Sequence, residues 1–187
     1  MRLFVAVPLP DDVASAASAL LPELPGLRRV SPELMHLTLA FLGATSDERL
    51  ADVIAATAAA AAGTRTFIAS VDRVGRFQER GRPRVVWLGI GAGADELVAM
   101  AQRVRASLTE QRITFDDKPF RAHVTLARVR DDLDRDELRA IATAVDRLVP
   151  PRHDFRVDHI VVFESVVSSK GPRYTARATV PLASGPR

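Results

Sequence analysis

Apolar positions along the chain follow two periods, about 3.6 and 2, and the switches between them mark out helices and strands. Leu3 to Val7 is an unbroken apolar run of strand length, closed by Pro8 and Pro10. Asp11 and Asp12 open a helix to about Leu21, which Pro22 and Pro25 end, and Val30-Ser31-Pro32-Glu33 makes a turn into a second strand at His36. Ser46-Asp47-Glu48 caps a second helix with Leu50, Val53, Ile54 and Thr57 as its inward stripe and Gly63 as its stop. Thr66 to Val74 and Arg84 to Ile90 predict a hairpin whose connection, Gly75 to Pro83, mixes Gly, Pro, Arg and Gln around one aromatic, Phe77, as an irregular polar loop does. A third helix is expected from Asp95 to Glu110, a strand at His123, a fourth helix from Asp132 to Leu148 broken by Pro150-Pro151, and two closing strands, Phe155 to Val167 and Tyr174 to Val180, joined at Ser168 to Pro172.

After the first strand, the order helix, strand, helix, two strands thus occurs twice, which implies internal duplication. Hairpins interleaved with helices predict an α+β fold of largely antiparallel sheets rather than a doubly wound parallel one. With no linker or low-complexity segment, residues 1–187 are expected to form one domain.

Composition narrows the picture little. A chain that is 47% hydrophobic and 26% charged folds as an ordinary soluble protein. Its start is too briefly apolar to be a signal peptide or a membrane span, so a cytoplasmic, membrane-free protein is expected. The absence of cysteine excludes disulfides, thiolate nucleophiles and cysteine zinc sites. Of 26 basic residues only Lys118 and Lys170 are lysines. Arginine suits phosphate recognition, but beside so much alanine a coding bias accounts for it more simply, and a net charge of +3 does not identify a nucleic-acid binder.

The chemistry lies in one word written twice. His36-Leu37-Thr38-Leu39 and His123-Val124-Thr125-Leu126 carry two of the four histidines. In a strand the first and third residues of each word share one face, while Leu37, Leu39, Val124 and Leu126 point to the core. Each word therefore offers an imidazole that titrates near neutrality beside a hydroxyl that can donate to an oxyanion.

With these words stand Arg2-Leu3-Phe4-Val5-Ala6-Val7-Pro8-Leu9-Pro10, the continuation Ala40-Phe41-Leu42-Gly43, Arg84-Val85-Val86-Trp87-Leu88-Gly89, and a tail of Phe163-Glu164-Ser165 with Gly171-Pro172-Arg173-Tyr174. Together they resemble the 2H phosphoesterase superfamily, and within it the bacterial RNA 2′,3′-cyclic phosphodiesterases formerly called 2′-5′ RNA ligases. The chain departs from that pattern at Ala122, where the family often has a proline that shapes backbone. The resemblance implies a bilobal fold, two sheets with outer helices related by a pseudo-twofold, and one motif from each lobe lining a central cleft. It also implies metal-free, cofactor-free opening of a terminal 2′,3′-cyclic phosphate to a 2′-phosphomonoester. His123 is then the base and His36 the acid, an orientation that only the resemblance supplies because the two words are nearly symmetric. Thr38 and Thr125 would hold the non-bridging oxygens.

Arg128 resembles the arginine that the family sets on the substrate phosphate. Strict alternation points it to the opposite face from His123, so that role requires the strand to end or bulge first. Phe77, as a loop aromatic, is the candidate for stacking on a terminal base. His153, in a polar turn, and His159, in a strand, lack a companion threonine and are expected to be structural, and Trp87 and Tyr174 to pack in the core. Neither motif brings a third ligand at zinc spacing, and Gly89-Ile90-Gly91-Ala92-Gly93 lacks the spacing of a dinucleotide fingerprint.

The expected substrates are RNA ends or nucleotides bearing a cyclic phosphate, handled by a monomer without an obligate protein partner. The alternatives are an enzyme for small cyclic nucleotides, ADP-ribose cyclic phosphate or 2′-5′ linkages, and a non-catalytic RNA-binding module.

Overall fold

A computed structural model of the chain describes residues 1–150, 152–169 and 171–184; Pro151 and Lys170, in the expected helix break and last hairpin, lie outside them. The elements are β1 (Arg2–Pro8), α1 (Asp11–Leu20), β2 (Leu27–Arg29), β3 (His36–Ala44), α2 (Leu50–Ala62), β4 (Phe67–Glu79), β5 (Arg82–Ile90), α3 (Ala94–Glu110), β6 (His123–Val129), α4 (Arg135–Asp146), β7 (His153–Val157), β8 (His159–Ser168) and β9 (Gly171–Pro181). The fold is α+β, and all pairings between these strands are antiparallel.

The strand order, β7-β4-β5-β6-β3-β1-β8-β9, reads as two four-stranded halves placed head to head, with β2 added along β6. The halves meet at one residue pair, Leu37 opposite Val124, which joins the two expected sheets into a single nine-stranded one. The duplication is real in space but not contiguous in sequence. The β4–β5 hairpin that follows the first motif belongs to the half of the second, and β8–β9 return to the half of the first.

Helices α2 and α3 pack on each other, α2 also on β8 and β9, α3 on β3, and α4 on β4 and β5. The residues expected to point inward do so: Leu37, Leu39, Val124 and Leu126 are at most 1% exposed and lie in one continuous core with Leu88, Leu97, Val104 and Leu108. α4 is shorter than expected because Asp134, not Asp132, caps it, accepting from the Asp136 and Glu137 N–H groups while Glu137 accepts from the Asp134 N–H. Among the described residues no helix is long and apolar enough to cross a membrane.

Two local expectations fail. The Gly75–Pro83 segment is not a loop: β4 runs on to Glu79, β5 begins at Arg82, and Phe77 sits in the strand opposite Val85. Gly75 is there for clearance, because a β-carbon on it would lie 2.3 Å from the Trp87 indole. The single strand expected from Phe155 to Val167 is two, split at Asp158, where the chain crosses from β4's edge to β1's.

Candidate active site

The Leu37–Val124 pair is the middle of both His-x-Thr words, so the four polar side chains are disposed around it. Because β3 and β6 run antiparallel there, His36 and Thr125 fall on one side of the pair and Thr38 and His123 on the other. All four line a cleft of about 1030 Å³ on the face of the sheet opposite the core.

Each imidazole is oriented in the same way. The Nδ1 of His36 lies 2.7 Å from the Leu34 carbonyl and that of His123 2.7 Å from the Arg121 carbonyl. A carbonyl only accepts, so in both rings Nδ1 carries the hydrogen and Nε2 is left to exchange protons. Burial pushes the His36 pKa below its ordinary value; the Leu34 hydrogen bond opposes this, and the charges of His123 and Arg128 add to it. His123 is pushed down by burial as well, against its Arg121 hydrogen bond and together with the Arg128 and Arg121 cations.

Aromatic rings supply that burial. Phe4 lies at 4.8 Å from His36 and Tyr174 stands edge-on to it at 5.4 Å. Phe77 stands edge-on to His123 at 4.8 Å and leans on Trp87 at 5.3 Å. Phe77 does not line the cleft. Its expected place in a loop is replaced by a place in β4, edge-on to His123. Tyr174, expected in the core, lines the cleft instead, while Trp87 is half-buried beside Gly75.

The bulge that Arg128 requires is present. Val86 pairs with Ala127 and Trp87 with Thr125, so β6 has one extra residue at Leu126. β3 has the same insertion, with Val5 opposite Ala40 and Ala6 opposite Thr38. Both inserted residues have their carbonyls satisfied from outside the ladder, Leu126 by the Val30 N–H at 2.8 Å and Leu39 by the Arg105 guanidinium at 3.3 Å. Alternation is thereby reset, and the fifth residue after each histidine turns back to the cleft. On β6 that residue is Arg128, and on β3 it is Phe41.

Sequence reasoning missed Phe41, although it stands at the spacing from His36 that Arg128 has from His123. It also missed β2, whose Arg28 lines the cleft directly opposite Arg128 in register, and Arg173 on β9. His153 and His159 stay outside the cleft; His159 Nδ1 lies 2.6 Å from Asp158. Among the described residues no three His, Cys, Asp or Glu side chains converge as metal ligands.

Residues 9–167, which include both motifs and both bulges, match the 2′-5′ RNA ligase superfamily. The chain belongs to that superfamily. Its relatives include proteins named RNA 2′,3′-cyclic phosphodiesterase from Thermus thermophilus, 34% identical over 94% of this chain and 87% of that one, and from Thermotoga maritima, 29% identical over 93% and 91%. Among solved structures, TT0787 of Thermus thermophilus superposes with a TM-score of 0.79 at 30% identity, covering 97% of this chain and 98% of that one. Escherichia coli LigT in its apo form shares the fold, with a TM-score of 0.76 at 24% identity over 97% and 96% of the two chains. The 2H phosphoesterase fold expected from the paired words is thus the fold of this chain.

Proposed function

We propose that the protein hydrolyses 2′,3′-cyclic phosphates at RNA ends to 2′-phosphomonoesters, by acid–base catalysis between His36 and His123 and without a metal ion. The names of its relatives support the reaction class. The observation that carries the mechanism is the crosswise arrangement around the Leu37–Val124 pair, which sets two imidazoles with free Nε2 atoms on opposite sides of one point.

With the cyclic phosphate at that point, Nε2 of His123 takes a proton from water as its oxygen attacks phosphorus. The P–O3′ bond breaks on the opposite side, and Nε2–H of His36 gives its proton to O3′. Phosphorus remains on O2′. Thr38 and Thr125 donate to the two non-bridging oxygens, and Arg128 balances their charge. Burial depresses both histidines in the free protein, and the bound substrate opposes that shift at His36. A phosphate anion beside the ring favours the imidazolium, and the buried setting strengthens that attraction.

The test is hydrolysis of a 2′,3′-cyclic mononucleotide by chelator-treated protein, with the product identified by phosphorus NMR. A 2′-phosphate with full activity is expected. A 3′-phosphate would overturn the geometry, and activity that returns only with added divalent ions would overturn the metal-free mechanism.

A further inference from the structure

We infer that Arg28 and Arg173 form a second anion subsite in the cleft, which takes the phosphate on the 5′ oxygen of the nucleotide whose cyclic phosphate is being opened. The inference rests on the acid–base reading above and adds to it what the rest of the cleft is for.

Among the described residues four arginines line the cleft, Arg28, Arg29, Arg128 and Arg173, against a single carboxylate, Glu33. Arg29 is occupied, its guanidinium on the Ser18 carbonyl and near Glu23. Arg128 belongs to the reacting phosphate. Arg28 and Arg173 are exposed and make no side-chain hydrogen bond or ion pair among the described residues; the carboxylate within electrostatic reach of Arg28, Asp132, is itself bonded to Arg130. Arg28 lies directly opposite Arg128 across the β2–β6 ladder, and like charges so placed repel each other. A polyanion with phosphates on both would relieve that repulsion. Opposed residues have β-carbons about 5 Å apart, close enough for two long side chains to reach neighbouring phosphates of one strand.

The position along the cleft also fits. From the Leu37–Val124 pair, β6 runs through Thr125, on the His36 side, and on to Arg128, so Arg128 and Arg28 extend the site beyond His36. Arg173 lines the cleft from the other half of the sheet, next along β9 to Tyr174, which packs on His36 and lies within electrostatic reach of Arg128. His36 protonates the leaving O3′, so the ribose and its 5′ substituent lie at that end. A volume of about 1030 Å³ is at the top of the range for small-molecule pockets and leaves room beyond one reacting phosphate. Clustered, unpaired arginines here are a phosphate track, whatever raised the arginine content of the chain as a whole.

The test is binding of 2′-phosphorylated products to the wild type, Arg28→Ala and Arg173→Ala. The ligands are a nucleoside 2′-phosphate, the same with a 5′-phosphate, a dinucleotide, and that dinucleotide with an uncharged methylphosphonate linkage. The charged 5′ substituent, monoester or diester, should tighten wild-type binding about tenfold, and each variant should lose most of that gain. Affinity for the plain nucleoside 2′-phosphate, and kcat/KM on the cyclic mononucleotide, should stay within about threefold. Equal binding with and without the 5′ phosphate would overturn the inference. So would a gain that survives methylphosphonate substitution, or variants that weaken all four ligands alike. A 5′-phosphate gain that depends on Arg28 and Arg173 in a protein that opens no cyclic phosphate would sink the proposed function and leave the subsite standing.

Discussion

Replacing Phe77 by alanine distinguishes a wall behind His123 from a platform for a base. The ring is half-buried between the His123 imidazole and Trp87. Truncating a fully buried phenylalanine costs about 3–5 kcal/mol, so for this half-buried ring about 2 kcal/mol is expected. In a chain of 187 residues that lowers Tm by roughly 4–8 °C, measurable by circular dichroism. Burial is the main reason that His123 is hard to protonate, so admitting water raises its pKa towards the ordinary value. The base must be neutral, and the acid limb of kcat/KM therefore moves to higher pH, with more activity lost at about pH 6 than at about pH 8. The defect should be the same on a cyclic nucleotide and on a five-membered cyclic phosphate with no base. A rise in KM confined to the nucleotide, with the limb unmoved and Tm lowered by less than about 2 °C, would refute this reasoning and make Phe77 a base contact.

The remaining predictions concern the anion and the proton. Thr38→Val and Thr125→Val should each lower kcat about 100-fold, as loss of an oxyanion donor does, and a variant retaining a third of the activity would remove that threonine from the site. Arg128→Ala should raise KM and move both histidine limbs of kcat/KM to higher pH, since its cation depresses both rings; Arg128→Lys should restore the limbs and only part of the KM. In the wild type the limbs of kcat should lie at higher pH than those of kcat/KM, because bound phosphate favours the imidazolium; coincident limbs would show that the substrate does not lift the pair.

The motif strands and their inward residues were legible because a period-2 pattern and a burial pattern are the same thing in a strand with one wet face. What escaped the sequence has physical causes. Gly75 reads as a loop signal, yet it marks the close approach of Trp87 inside a hairpin, and only the partner strand reveals that. The bulges at Leu39 and Leu126 reset the alternation without any glycine or proline to announce them, so Arg128 could be placed only conditionally and Phe41 not at all. β2 is three residues long, two of them arginines, and exists because it completes the edge of β6. Tyr174 sits in a clear strand pattern, but that pattern does not say that its inner face opens on a cleft rather than on a core.

The most direct test of the central claim is the turnover of a 2′,3′-cyclic mononucleotide by metal-stripped His36→Ala, His123→Ala and the double variant, each shown folded by circular dichroism. Each single replacement should lower kcat by about 10²- to 10⁴-fold, and the double variant should be little worse than the weaker single, because the two imidazoles act as one device. A single variant that keeps more than about a tenth of the wild-type rate, or losses that multiply in the double variant, would contradict paired acid–base catalysis by these two histidines.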